Sequence, residues 1–128
     1  MDYAINKKVN KSFQDAIEAV KASLKNEGFG VISEIDLKDK FKVKLGIEFR
    51  NYTILGACNP ALAHEAIQHE SNIGVMLPCN VLVQEIESGK TEVSAVNPLK
   101  TMSAVENDKL QTLAAEVSKK LKAAIDSL

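Results

Sequence analysis

The sequence predicts an α+β fold: a two-layer sandwich in which helices cover one side of an antiparallel sheet, in a single domain over residues 1–128. Three observations carry that prediction. Short apolar strands alternate with longer stretches whose apolar residues fall on one helical face. Two of the strands are joined directly by the turn Glu87-Ser88-Gly89-Lys90, which makes them antiparallel. Thr91 to Val96 then alternates apolar with polar side chains, so that strand has one wet face and one covered face. A doubly wound parallel sheet would show neither the hairpin nor the alternation.

The elements run strand, helix, strand, short helix, strand, helix, strand, strand, helix. Between Asp2 and Val9, Tyr3, Ile5 and Val9 share one parity, as in a half-buried strand. Asn10 or Ser12 then caps a helix in which Phe13, Ala16, Ile17, Val20 and Leu24 keep 3.6-residue spacing, and Gly28 ends it. Phe29 to Ile35 returns as a strand. Asp36 to Gly46 reads two ways. Leu37, Phe41 and Leu45 recur every fourth residue, while Phe41, Val43 and Leu45 also alternate; a short amphipathic helix ending at Gly46 is the preferred reading.

Tyr52 to Cys58 is a strand, and Asn59 to Glu70 a helix. Ile73 to Ile86 reads as one long strand, broken or bulged around Pro78 because proline cannot donate to a central ladder. Asn97-Pro98 closes the strand after the hairpin, and Leu99 to Ser103 is a loop. The last helix runs to about Asp126, with Leu110, Leu113, Ala114, Val117, Leu121, Ala124 and Ile125 in one broad stripe.

Composition narrows the function. Of 128 residues, 45% are hydrophobic and 26% charged, as in an ordinary globular domain, and the formal net charge is -1. Interspersed acids and bases give no basic stripe for nucleic acid and no polybasic face for lipid. Without tryptophan and with six other aromatics, the chain offers no base-stacking platform either. The N-terminus lacks the pattern of an export signal, and no apolar run approaches the ~20 residues needed to cross a bilayer. A cytoplasmic protein with reduced thiols is the expectation, binding neither nucleic acid nor membrane.

The chemistry-bearing residues gather at two corners, Gly56-Ala57-Cys58-Asn59-Pro60 and Leu77-Pro78-Cys79-Asn80, which hold the only two cysteines. In the first, asparagine suits an N-cap and proline the first helical position, so Cys58 precedes a helix N-terminus. Unpaired amides and the helix dipole there favour a thiolate or a bound anion. Cys58 and Cys79 are one strand-helix-strand excursion apart, which allows both to lie at one end of the sheet. If they meet, they could form a reversible disulfide, hold a soft metal with a histidine, or act as nucleophile and resolving thiol. If they do not, they are small apolar fillers.

His64 lies in the second turn of the same helix, the better placed of the two histidines to neighbour a thiolate. His69 is five residues on, one too many for two imidazoles to share a zinc ion as in His-Glu-x-x-His. Gly56 permits close approach of another chain segment beside Cys58, and Gly74 the same beside Cys79. No Walker sequence, dinucleotide loop or nucleophile elbow is present.

At these residues the chain resembles the small prokaryotic family called domain of unknown function 302. The resemblance is carried by Gly28-Phe29-Gly30-Val31, Glu34-Ile35-Asp36, Leu45-Gly46, the run from Tyr52 to Pro60 and the run from Ile73 to Val81. It spans nearly the whole chain and includes Cys58, Asn59, Pro60, Leu77, Pro78 and Cys79. It implies a compact α+β domain, similar in architecture to the TATA-box-binding-protein-like class, and a homodimer. It carries no established activity, hence no catalytic residues.

Three functions follow as expectations. The first is a homodimeric binding domain that holds a small anionic, thiol-reactive or metal-bearing ligand with Cys58, Asn59, Cys79 and His64. The second is a thiol-disulfide or sulfur-transfer enzyme using Cys58 and Cys79 in turn. The third is a structural or interaction domain with inert thiols. The sequence names no cofactor and no metal.

Overall fold

The computed structural model of the chain describes residues 2–128. Five strands form one antiparallel sheet: β1 (Ala4–Val9), β2 (Gly30–Asp36), β3 (Tyr52–Cys58), β4 (Cys79–Glu87) and β5 (Lys90–Val96), in the spatial order β1-β5-β4-β3-β2. The helices are α1 (Phe13–Asn26), α2 (Leu37–Leu45), α3 (Pro60–His69), α4 (Pro98–Thr101) and α5 (Asp108–Asp126). The expected α+β sandwich is the observed architecture. No helix among the described residues is long and apolar enough to cross a membrane.

Register decides which side chains meet the helices. Leu55, Val81, Ala95 and Ile5 form one cross-strand row, and Thr53, Val83, Val93 and Lys7 the next. The apolar members of these rows pack against Ala16, Ile17, Val20 and Leu24 of α1 and Leu121, Ala124 and Ile125 of α5 in one cluster. The helical spacing read in the sequence is therefore the buried face. Lys7 extends its amine to the carbonyls of Asp126 (3.0 Å) and Leu128 (2.6 Å), so its charge leaves the core at the end of α5.

A second, smaller cluster joins Ala66, Ile73 and Met102 to Leu110, Leu113 and Ala114 at the N-terminal half of α5. α5 thus spans both clusters. Two asparagine caps fix the helices around the smaller one. Asn59 accepts the amide of Leu62 (3.2 Å) and Asn107 that of Leu110 (3.1 Å). Asn107 also donates Nδ2 to the carbonyl of His69 (2.8 Å), tying the end of α3 to the start of α5. Gln111 donates to the carbonyls of Met102 (2.9 Å) and Val105 (2.8 Å), which holds the turn between α4 and α5.

The opposite face of the sheet has no helix of the first cluster on it. Its central row is Ile35, Ile54, Leu82, Ser94 and Asn6. Ile54 and Leu82 are half-buried and Ile35 is 42% exposed. α2 buries none of its residues, yet it is capped at both ends by Asp36 and Gly46, and Phe41 packs edge-on against Phe49 at 5.1 Å. The short-helix reading of this segment holds over the alternating one.

Several boundaries differ from the sequence reading. Ser71–Met76 is a 3-10 helix, and the strand begins only at Cys79, after a cis Leu77-Pro78 bond. Pro78 therefore lies before the ladder and does not interrupt it. Gly74 has open space beside it and admits no close neighbour. Ser12, not Asn10, caps α1, accepting the amide of Asp15 at 3.1 Å. The expected loop from Leu99 begins as α4, where the hydroxyl of Ser118 accepts the amide of Leu99 (3.1 Å) and donates to Asn97 Oδ1 (2.7 Å). That pair of bonds explains a serine on the buried stripe of α5. Tyr3, expected to share the covered parity, is 62% exposed and precedes the strand.

Candidate functional site

The two corners meet. Ala57 at the end of β3 pairs with Cys79 at the start of β4, so both cysteine-bearing segments lie at one end of the sheet. Gly56 makes this possible: a methyl group there would stand 2.8 Å from Cγ of Pro78 and would also collide with the hydroxyl of Ser33. The close approach expected at Gly56 is the contact that seats the Leu77-Pro78 corner on β3.

Between this end of the sheet, α3 and the N-terminal half of α5 lies a cavity of about 250 Å³. It occupies the seam between the two clusters. Phe29, Ala57 and Cys79 come from the larger one, and Met102, Leu110 and Ala114 from the smaller. No lining residue carries a charge, and the polar side chains at the wall are Cys58, Asn59 and Cys79.

Cys58 is half-buried and Cys79 is buried at 6% exposure; both are free thiols. Burial first, and the nearby charge of Cys58 second, push the Cys79 thiol up from 9.0 to about 11. Cys79 is therefore a neutral thiol at physiological pH. Cys58 follows Ala57 by one residue, and successive strand side chains point to opposite faces. The two sulfur-bearing side chains so leave their strands on different sides of the pleat, although both border the cavity. Disulfides need side-chain vectors that converge, and this register gives divergent ones.

Asn59 caps α3 as expected, and its Oδ1 is committed to the Leu62 amide. One of the amides that would have greeted an anion is thus already paired. His64 is not part of the site: it is exposed, faces Gln68 at 3.5 Å across one helical turn, and does not reach the cavity. The reason is angular. Leu62, Ala63 and Ala66 lie within an arc of about 100° on α3, and His64 falls about 100° beyond Ala63, outside that arc. Among the described residues no three His, Cys, Asp or Glu side chains gather where they could hold a metal ion.

Sequence reading missed the apolar wall itself. Leu110 and Leu113 read as part of the last helix's apolar stripe, Phe29 as the start of a strand and Met102 as loop, and nothing in an apolar stripe says which of its residues face packed neighbours and which face a void. The unmatched signal was the run of small residues Ala63, Ala66 and Ala114, which leave space where two helices converge.

The same arrangement of corners has relatives. Residues 5–128 match the family described as domain of unknown function DUF302. The chain belongs to the DUF302 family. Its fold is also that of the crystal structure of an uncharacterized conserved DUF302 protein from Bacillus stearothermophilus, at a TM-score of 0.90 and 29% sequence identity over 98% of each chain. No curated protein matches it. Among DUF302 features read from the sequence, Asn59-Pro60 is here the start of α3, and Leu77-Pro78-Cys79 the entry to β4.

Proposed function

We propose that this DUF302 domain binds a small apolar molecule in the cavity between the sheet end, α3 and α5, which Cys58 and Cys79 both border. One observation carries the reading: a cavity of about 250 Å³ whose wall holds no charged side chain and three polar ones. An enclosed apolar cavity of ~150 Å³ stays dry and accepts benzene, so this one suits a ligand of about ten non-hydrogen atoms. An anion would have to give up its hydration for a wall without Lys, Arg or His, a loss that a largely paired helix terminus does not offset. The apolar ligand is therefore preferred over the anionic one that the helix N-terminus suggested.

The test compares 1-octanol with octanoate. Octanol raises the thermal unfolding midpoint in a saturable way, because a ligand that binds only the folded state stabilises it. Octanoate does so much less. If octanol below its solubility limit produces no shift, the binding reading fails and a structural role with inert thiols takes its place.

We also infer a homodimer joined through the open sheet face, in a cytoplasmic compartment that keeps both thiols reduced. The support is the outward row Ile35, Ile54 and Leu82, where an antiparallel sheet facing water ordinarily carries polar residues. A five-stranded face of this kind measures roughly 20 by 24 Å, so two of them together bury on the order of 1,000 Å², the lower bound for a stable interface.

A further inference from the structure

Over the whole chain acids and bases balance, but α2 is an exception. It carries four lysines, Lys38, Lys40, Lys42 and Lys44, against one acid, Asp39. Among the described residues only Lys42 has a carboxylate within reach, Glu48 at 3.3 Å; the other three lysines pair with none. The helix also buries none of its nine residues. That is short of the ~12 at which a helix is even marginal on its own, and its two caps and the contact of Phe41 with Phe49 stand in for a core. At its far end the apolar residues turn outward. Val43 is 70% exposed, Leu45 65%, and Ile47, just past the Gly46 cap, 46%.

We propose that the C-terminal end of α2 docks the protein on the surface of a bilayer rich in anionic lipid, without spanning it. The arrangement of the side chains selects this occupant. Val43 and Leu45 are two residues apart, so they leave the helix about 160° from each other. Lys40, Lys42 and Lys44 step round the axis in the same way. No one side of α2 gathers these groups; they surround its tip. A protein groove takes one apolar face of a helix. A bilayer interface receives a tip from all sides: aliphatic side chains enter the boundary between headgroups and acyl chains, while lysine stems reach back and keep their ammonium groups among the anionic headgroups. The amide of Gly46 closes the carbonyl of Lys42 (3.0 Å), and the carbonyls after it need water, which holds the tip at the interface and out of the hydrocarbon. This docking is independent of the cavity and of any ligand in it.

The experiment is flotation of the full chain with vesicles of phosphatidylcholine alone, and with vesicles in which about one lipid in three is phosphatidylserine. A lysine near an anionic surface is worth about fivefold, so the three unpaired ones should make the second vesicles bind at least about thirtyfold more tightly. Raising salt from about 0.1 M to about 0.5 M should remove most of that preference. Val43→Ser/Leu45→Ser should weaken binding at least about tenfold and leave the unfolding midpoint unchanged, because both side chains already lie in solvent. The chain has no tryptophan, so one placed at either position reports alone. The emission of Val43→Trp and of Leu45→Trp should each move to shorter wavelength on the anionic vesicles, since both sides of the tip enter. Absence of flotation with anionic vesicles at low salt overturns the proposal. So does a wavelength shift at only one of the two positions, which would make α2 a one-sided helix for a protein groove. Polyglutamate that binds as tightly as the vesicles, with no loss in Val43→Ser/Leu45→Ser, would assign the lysines to an acidic polypeptide instead.

Discussion

Ala57 faces Cys79 across β3 and β4, and this single pairing sets the relation between the two thiols. It brings the Cys58 corner and the Cys79 corner to one cavity while sending their side chains to different sides of the pleat. Mild oxidation with diamide should therefore yield no loss of two mass units in the folded protein. Oxidised glutathione should instead add one mixed disulfide at Cys58. An intramolecular bridge between Cys58 and Cys79 in intact-mass and peptide analysis would contradict the divergence and revive the thiol-disulfide reading.

Cys79 makes stability fall at alkaline pH. Its thiol titrates near 9.0 when unfolded and at about 11 when folded. Below pH 9 it is protonated in both states and contributes no pH dependence. Above it the unfolded chain releases a proton that the folded chain keeps, so unfolding becomes progressively easier until the folded thiol titrates as well. The two-unit difference corresponds to about 2–3 kcal/mol. Urea unfolding at pH 8 and pH 10.5 should show this slope in the parent chain and a smaller one in Cys79→Ala; equal slopes would refute it.

Asn59 is accounted for by its cap. Asn59→Ala should cost about 1 kcal/mol in urea unfolding, while Asn59→Asp, which keeps an acceptor for the Leu62 amide, should cost less. A loss well beyond 2 kcal/mol in both variants would point to a further role for the NH2 group.

Stability and ligand capacity should separate along α5 and α3. Leu121, fully buried in the larger cluster, should lose about 2–5 kcal/mol as Leu121→Ala and leave octanol affinity unchanged. Ala66→Leu grows into the cavity, where space already exists. It should alter stability by less than about 1.5 kcal/mol and remove octanol binding. Calorimetry of both variants with and without octanol reads the contrast, and parallel losses in the two would argue against a distinct site.

Leu82 occupies the centre of the open sheet face. Leu82→Asp should convert a dimer to a monomer in sedimentation velocity without changing the far-ultraviolet spectrum, since the residue faces away from the core clusters. A parent chain that already sediments as a monomer at micromolar concentration would dismiss the interface.

How much of this was written in the chain depends on the range of the interaction. Local rules sufficed for α1, α3 and α5: the spacing of Ala16, Ile17, Val20 and Leu24, and the caps at Asn59 and at the glycine following α1, depend on neighbours a turn away. The hairpin between β4 and β5 was legible for the same reason. The family pattern of the two cysteine corners was legible too, because it is a matter of residue order.

The stretch from Ser71 to Met76 misled because a short apolar run suits a strand, a 3-10 turn and a buried corner alike, and only packing chooses among them. Whether His64 lines the cavity was decided by its angle on α3, which no local pattern relates to the cavity. The cavity itself is the clearest case. It exists because α3 and α5 converge on small residues, while Gly56 lets Pro78 settle on β3. Sequence alone determined the segments with strong local signals, the long helices α1, α3 and α5 and the β4–β5 hairpin, and which residues can do chemistry. Tertiary structure decided which of those residues share a space, because side-chain packing compares surfaces that lie dozens of residues apart along the chain.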